Sequence, residues 1–124
     1  MEKILIVGCK RAMNEVCIGC SRCLVAFNRR EGLFRDYPRD AQILGLLSCG
    51  DCPGSTIITR LIQVKLWNAP MNEMPTKVHI GPCISDHCPY ADDIVTKIKV
   101  KSGVEVIEGT HPYMPDKVFS PLPS

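Results

Sequence analysis

The sequence predicts a small doubly wound α/β fold, with a mainly parallel four-stranded sheet in the order 2-1-3-4 and helices on both faces. Three observations carry that expectation. Short apolar runs alternate with segments of helical periodicity, giving strand–helix–strand three times over. The first run, Lys3 to Gly8 (KILIVG), is continuously apolar, as a strand buried on both faces should be. The chain has 124 residues, 45% hydrophobic and 23% charged, which are the size and composition of one globular domain.

Each element has its own reason. From about Cys20 to Phe34, Leu24, Phe27 and Phe34 recur near helical spacing, with Asn28 to Glu31 facing solvent and Gly32 weakening the end. Ala41 to Leu47 (AQILGLL) reads as the second buried strand. Ile57, Ile58, Leu61, Ile62 and Leu66 then follow the spacing of a core-facing helix, with Pro53 and Ser55 placed as at a helix start. Two prolines in Asn68 to Thr76 mark a connecting loop. Lys77 to Gly81 is the third strand. Ala91, Ile94, Val95 and Ile98 give a third amphipathic helix that should stop before Gly103, and Val104 to Ile107 form the fourth strand. Right-handed crossovers assemble these into a flavodoxin-like or Rossmann-like sheet. Residues 1–111 are thus expected to be one cysteine-rich domain. The tail, 112–124, carries four prolines and little to bury, and is expected to be irregular.

Charge and motifs exclude several functions. Fifteen basic and 13 acidic side chains leave a net charge of +2, too small and too evenly spread for a nucleic-acid footprint. Gly8, Gly50 and Gly54 compose neither a dinucleotide fingerprint nor a phosphate loop. No apolar run approaches the roughly 20 residues of a membrane span, and Ile4 to Val7 fall short of the roughly 7–15 of a secretory signal. A cytoplasmic location is therefore expected, where thiols stay reduced and disulfide scaffolds are rare.

The abnormal number is eight cysteines. In a reducing setting, clustered cysteines bind metal or do redox chemistry more often than they staple a fold. Open parallel sheets bind ligands outside the carboxyl ends of their strands. Cys9 follows the first strand, Cys49 and Cys52 the second, Cys83 and Cys88 the third, and His111 the fourth; Cys17, Cys20 and Cys23 lie where the first helix begins. All are expected at one rim, where helix N-termini favour the thiolate. Cys49-Gly50-Asp51-Cys52 is a C-x-x-C, a spacing that lets two sulfurs grip one ion. With Cys83 and Cys88 it makes a four-sulfur set for zinc or an iron–sulfur cluster. Cys17, Cys20 and Cys23 form a second run, an incomplete ferredoxin pattern to which Cys9 could add a fourth ligand. Cys20 and Cys23 also share the face of Leu24 and Phe27, so either could be core filler.

The chain resembles the CGGC-domain family of small metal-binding proteins. The resemblance rests on Ile6-Val7-Gly8-Cys9, Cys17, Cys23-Leu24-Val25-Ala26-Phe27 and the stretch from Gly45 to Gly54. It continues through His79, Cys83-Ile84, Cys88-Pro89 and Glu108-Gly109-Thr110-His111. It implies metal binding, with zinc the expected ion, and names no substrate. The chain departs from the family at Asp51, where the name requires glycine; the added carboxylate makes a sulfur site more negative. Cys20 is additional to the family pattern.

Three functions follow. The first is a cytosolic protein that binds zinc or an iron–sulfur cluster through Cys49, Cys52, Cys83 and Cys88, with Cys9, Cys17, Cys23 and His111 next. The second is thiol–disulfide or metal-assisted redox chemistry at Cys49-Gly50-Asp51-Cys52. The third is a sensor that changes partner when its thiols oxidise. His111 could join the sulfurs or act as an acid–base partner. His79 alternates with Val78 and Ile80 and is expected to be a hydrogen-bonded interior histidine. His87 is expected to be exposed.

Overall fold

The computed structural model describes residues 1–10, 12–13, 21–50, 52, 54–86 and 88–110. Its strands are β1 (Lys3–Gly8), β2 (Gln42–Ser48), β3 (Lys77–Ile80) and β4 (Glu105–Glu108). They form one sheet in the order β2-β1-β3-β4, every pair parallel, as the alternation of elements predicts. Opposite β1, strand β2 carries an irregularity: Ile4 pairs with Ile43 and Leu5 with Gly45, so Leu44 has no counterpart. The Pro-rich tail lies outside the described residues.

Period-two alternation on β1 feeds two cores. Ile4 and Ile6 meet α1 (Ser21–Asn28) through Cys23, Ala26 and Phe27, with Phe34 and Ala41 completing that layer. Leu5 and Val7 face the other way, toward Ile57 and Leu61 of α2 (Ile57–Asn68) and Ile94, Val95 and Ile98 of α4 (Ala91–Ser102). Between β3 and α4 lies a single turn, α3 (Pro82–Ser85). Proline at its first position suits a helix start, since proline's missing N–H would find no partner there. The end of α4 is as expected: Gly103 takes φ +68° and its N–H closes on the Lys99 carbonyl at 3.2 Å.

Some expectations are corrected. The first helix stops at Asn28, and a 3-10 turn over Gly32–Phe34 follows. Arg30 takes φ +55° and Gly32 φ +59°, which no α-helix accommodates. Helix α2 starts after Thr56, one residue beyond Ser55, and Thr56 makes no side-chain capping bond. Of the five positions expected in the core only Ile57 and Leu61 are buried; Ile58, Ile62 and Leu66 are exposed. The buried edge follows positions 57, 61 and 64, and one flank of apolar residues faces outward.

The two ends of the sheet differ in chemistry. At the amino ends of the strands, Lys3 Nζ lies 2.9 Å from Glu73, and Lys77 Nζ lies 2.7 Å from Glu105 and 3.3 Å from Glu2. Just past the carboxyl ends come Cys9, Cys49 and Cys83.

Candidate metal centre

Each strand of a parallel sheet ends at the same rim, so residues just past Gly8, Ser48 and Ile80 are neighbours in space although far apart in sequence. Cys9 follows β1, Cys49 opens the loop after β2, and Cys83 lies in α3 after β3. The direction of chain progression reverses between β1 and β3, and there the first contact occurs: the Cys9 backbone N–H donates to Cys83 Sγ at 3.1 Å. Glycine at position 81 makes room for that sulfur: a Cβ there would stand 3.3 Å from Cys83 Sγ.

Cys49 is buried, and its backbone N–H donates to the Gly8 carbonyl at 2.9 Å, extending the β1–β2 pairing by one residue. Burial pushes its thiol above the ordinary range. The Lys10 backbone N–H opposes that rise, while negative charge on Cys9, Cys52 and Cys88 adds to it. Cys49 thus has the other three within electrostatic reach. Cys52 is exposed, whereas Cys9, Cys83 and Cys88 are half-buried against the core under α2 and α4. Cys88 Sγ accepts the Tyr90 N–H at 3.4 Å. Three sulfurs of the rim therefore receive backbone N–H groups: Cys83, Cys88 and Cys49. At Cys49 burial outweighs its donor, so the thiol form is favoured there.

The loop that presents Cys49 and Cys52 is held by a backbone only glycine adopts easily. Gly50 has φ +85°, and a Cβ there would fall 1.7 Å from Thr56 Oγ1. Gly54 has φ +84°, with Ile94 Cγ1 2.7 Å from the corresponding point.

Not all expected residues join this group. Cys23 is buried on the opposite face, in the layer beneath α1, with Sγ 3.2 Å from Thr110 Oγ1. Cys17, Cys20, Asp51, His87 and His111 lie outside the described residues. Among the described residues no two cysteines are joined by a disulfide, and no three His, Cys, Asp or Glu side chains form a group that could hold a metal ion.

His79 is the interior histidine its alternation predicts. It is fully buried, and its Nδ1 lies 2.8 Å from the Gly109 carbonyl, which can only accept, so Nδ1 carries the proton. Nε2 then accepts the Tyr37 hydroxyl at 2.6 Å. Burial holds this imidazole below the usual histidine range and pushes the Tyr37 phenol up to about 12. Tyr37 carries no periodic signal in the sequence and goes unforeseen; its partner is 42 residues away.

A family model described as the CGGC domain matches residues 3–111, nearly the whole chain. No curated protein and no solved structure matches it. Among the described residues, no helix is long and apolar enough to cross a membrane.

Proposed function

The chain belongs to the CGGC-domain family, and from that premise we propose that it binds zinc or an iron–sulfur cluster through thiolates at the carboxyl rim of its sheet. The family carries the expectation of metal binding in general. The observation that supports this particular site is the convergence of Cys9, Cys49, Cys52, Cys83 and Cys88 on one rim, with backbone N–H groups directed at three of the sulfurs. Several thiolates in one partly buried place repel one another, and a bound cation removes that repulsion. Cys49, Cys52, Cys83 and Cys88 are the ligands of this reading. Cys9, Cys17 and His111 are candidates for further coordination, whereas Cys23, on the opposite face of the sheet, is not. A metal bound there would neutralise the sulfur charge and tie the ends of β1, β2 and β3 together.

Binding on this reading draws the sulfurs closer than they stand, so metal association and local ordering are coupled. A reducing, cytosolic setting belongs to the same reading, since oxidised pairs would not ligate. The redox alternative at the C-x-x-C is less well supported. Cys49, the first cysteine, is buried, and Cys52 is the exposed one, so attack on an outside disulfide would fall to the second cysteine.

The test is anaerobic purification followed by metal analysis and a visible spectrum. Stoichiometric zinc without colour, or iron with sulfide and a brown chromophore, is expected, and C49S and C83S should each lose it. X-ray absorption should show sulfur ligands, with zinc–sulfur distances of about 2.3 Å for the zinc form. Metal-free protein in which Cys49 and Cys52 cycle readily to a disulfide would overturn the reading in favour of redox catalysis.

A further inference from the structure

The rim holds a methionine sulfur beside its cysteines. The chain leaves β1 through Cys9 and turns at once: the Met13 N–H donates to the Cys9 carbonyl at 2.8 Å, the spacing of one helical turn. That turn brings Met13 back over the end of the strand. Its thioether lies against Gly8, with Sδ 3.0 Å and Cγ 3.3 Å from where a Cβ on that glycine would stand. Any larger residue at position 8 would press on the thioether, so the glycine leaves it the space it occupies. Cys83 Sγ lies 3.7 Å from the same point, and it is the sulfur that accepts the Cys9 N–H at 3.1 Å. Met13, Cys83 and Cys9 thus meet at the corner of the rim where β1 and β3 end side by side. All three are half-buried.

We propose that Met13 is a metal ligand, and that its thioether with the thiolates of Cys83 and Cys9 forms a binding site for copper(I). The proposal rests on the reading that rim thiolates hold a metal, and it adds to that reading a ligand and an ion. Donor chemistry decides the ion. Thiolate and thioether together make a soft set that selects copper(I). Zinc is bound by thiolate, imidazole and carboxylate, and a neutral thioether adds little to it. The thioether also brings a donor without a charge, at a rim where negative charge on Cys9, Cys52 and Cys88 already opposes a thiolate at Cys49. Shape suits the role as well, since an unbranched side chain with three rotatable bonds can turn its sulfur toward an ion while the backbone stays in place. Packing alone would ask only for an apolar side chain of this volume, which leucine supplies nearly as well. Cys83 also belongs to the four-cysteine set, so copper(I) at this corner and zinc on that set compete for one sulfur.

Anaerobic titration of the metal-free, reduced full chain with copper(I), in competition with bathocuproine disulfonate, tests this, with M13L as the variant. The substitution keeps an apolar side chain of similar volume, so far-UV circular dichroism and thermal unfolding should match those of the wild type. The wild type should hold stoichiometric copper(I). M13L should bind it more weakly by at least the roughly 10–100-fold that loss of an outer-shell partner costs. Zinc affinity, measured by competition with a chromophoric chelator, should be the same in both, and C83S should weaken both ions. A second measurement reads the bond itself. Selenomethionine-labelled wild type should show copper–selenium scattering at the selenium edge, and labelled M13L, which keeps Met1, Met71, Met74 and Met114, should show none. Equal copper(I) affinity in M13L and wild type, or copper held by thiolates without copper–selenium scattering, overturns the proposal and leaves the four-cysteine reading standing. A parallel loss of zinc affinity in M13L, the mark of a merely structural role, overturns it as well. A wild type that takes up neither copper(I), zinc nor iron overturns both readings.

Discussion

Gly50→Ala is the most direct probe of the loop that carries Cys49 and Cys52. Two separate penalties are expected. Alanine at φ +85° enters left-handed backbone, which costs about 1–2 kcal/mol for an L-residue. Its Cβ would also fall 1.7 Å from Thr56 Oγ1 and 2.9 Å from Thr56 Cβ, so Thr56 or the loop must shift, at about 1–3 kcal/mol for overpacking of this kind. Together G50A should destabilise the protein by about 2–5 kcal/mol. The two parts separate in a double-mutant cycle. Thr56→Gly removes the overlapping side chain, and because Thr56 makes no capping bond its own cost should be a few tenths of a kcal/mol. In G50A/T56G the overlap is gone and the backbone cost remains, so a coupling of about 1–3 kcal/mol is expected. Urea unfolding of the four proteins, metal-free and under reductant, measures it. Additivity within about 0.5 kcal/mol would refute the contact, and a G50A protein as stable as wild type would refute the backbone argument as well.

Three further outcomes follow from the buried histidine and its neighbours. The folded protein holds His79 neutral and the unfolded chain protonates it near 6.5, so stability is full above that pH and falls as pH drops below it. The slope from this group is at most about 1.4 kcal/mol per pH unit, and denaturant melts from pH 8 to about 5 should lose this part of the slope in H79Q. Tyr37→Phe leaves Nε2 without its 2.6 Å donor and should cost about 1–3 kcal/mol; the lost bond favoured the neutral ring, so NMR titration should find the His79 pKa raised. Phe34→Ala opens a cavity beside Phe27 and His79, whose rings lie 5.5 and 4.6 Å from that of Phe34, and should cost about 3–5 kcal/mol in unfolding free energy.

Much of the fold is legible because local pattern and topology agree. The continuous run KILIVG can only be a strand covered on both faces, and the glycine after Ser102 marks a helix end in any context. The rim position of Cys9, Cys49, Cys83 and Cys88 follows from strand ends alone, since parallel strands finish together. Periodicity, however, records that α2 has an apolar flank without saying what lies against it, so Ile58, Ile62 and Leu66 read as core. The single turn α3 is too short for any periodic signal, although Pro82 hints at it. Which sulfurs receive backbone N–H groups depends on the relative placement of three loops, and the Tyr37–His79 bond joins residues from different layers. Neither is written in any local window.

The contrast between the two ends of the sheet has a practical consequence. At one end, Lys3, Lys77 and their carboxylates are held by solvent-facing charge, which mobile ions weaken. At the other, sulfurs sit in a partly apolar setting that salt barely reaches but that oxidants and thiol-alkylating reagents attack directly. Six residues of β1 separate these ends by roughly 20 Å, far enough for their contributions to add. Salt and thiol reagents therefore act as independent handles on opposite poles of one small body.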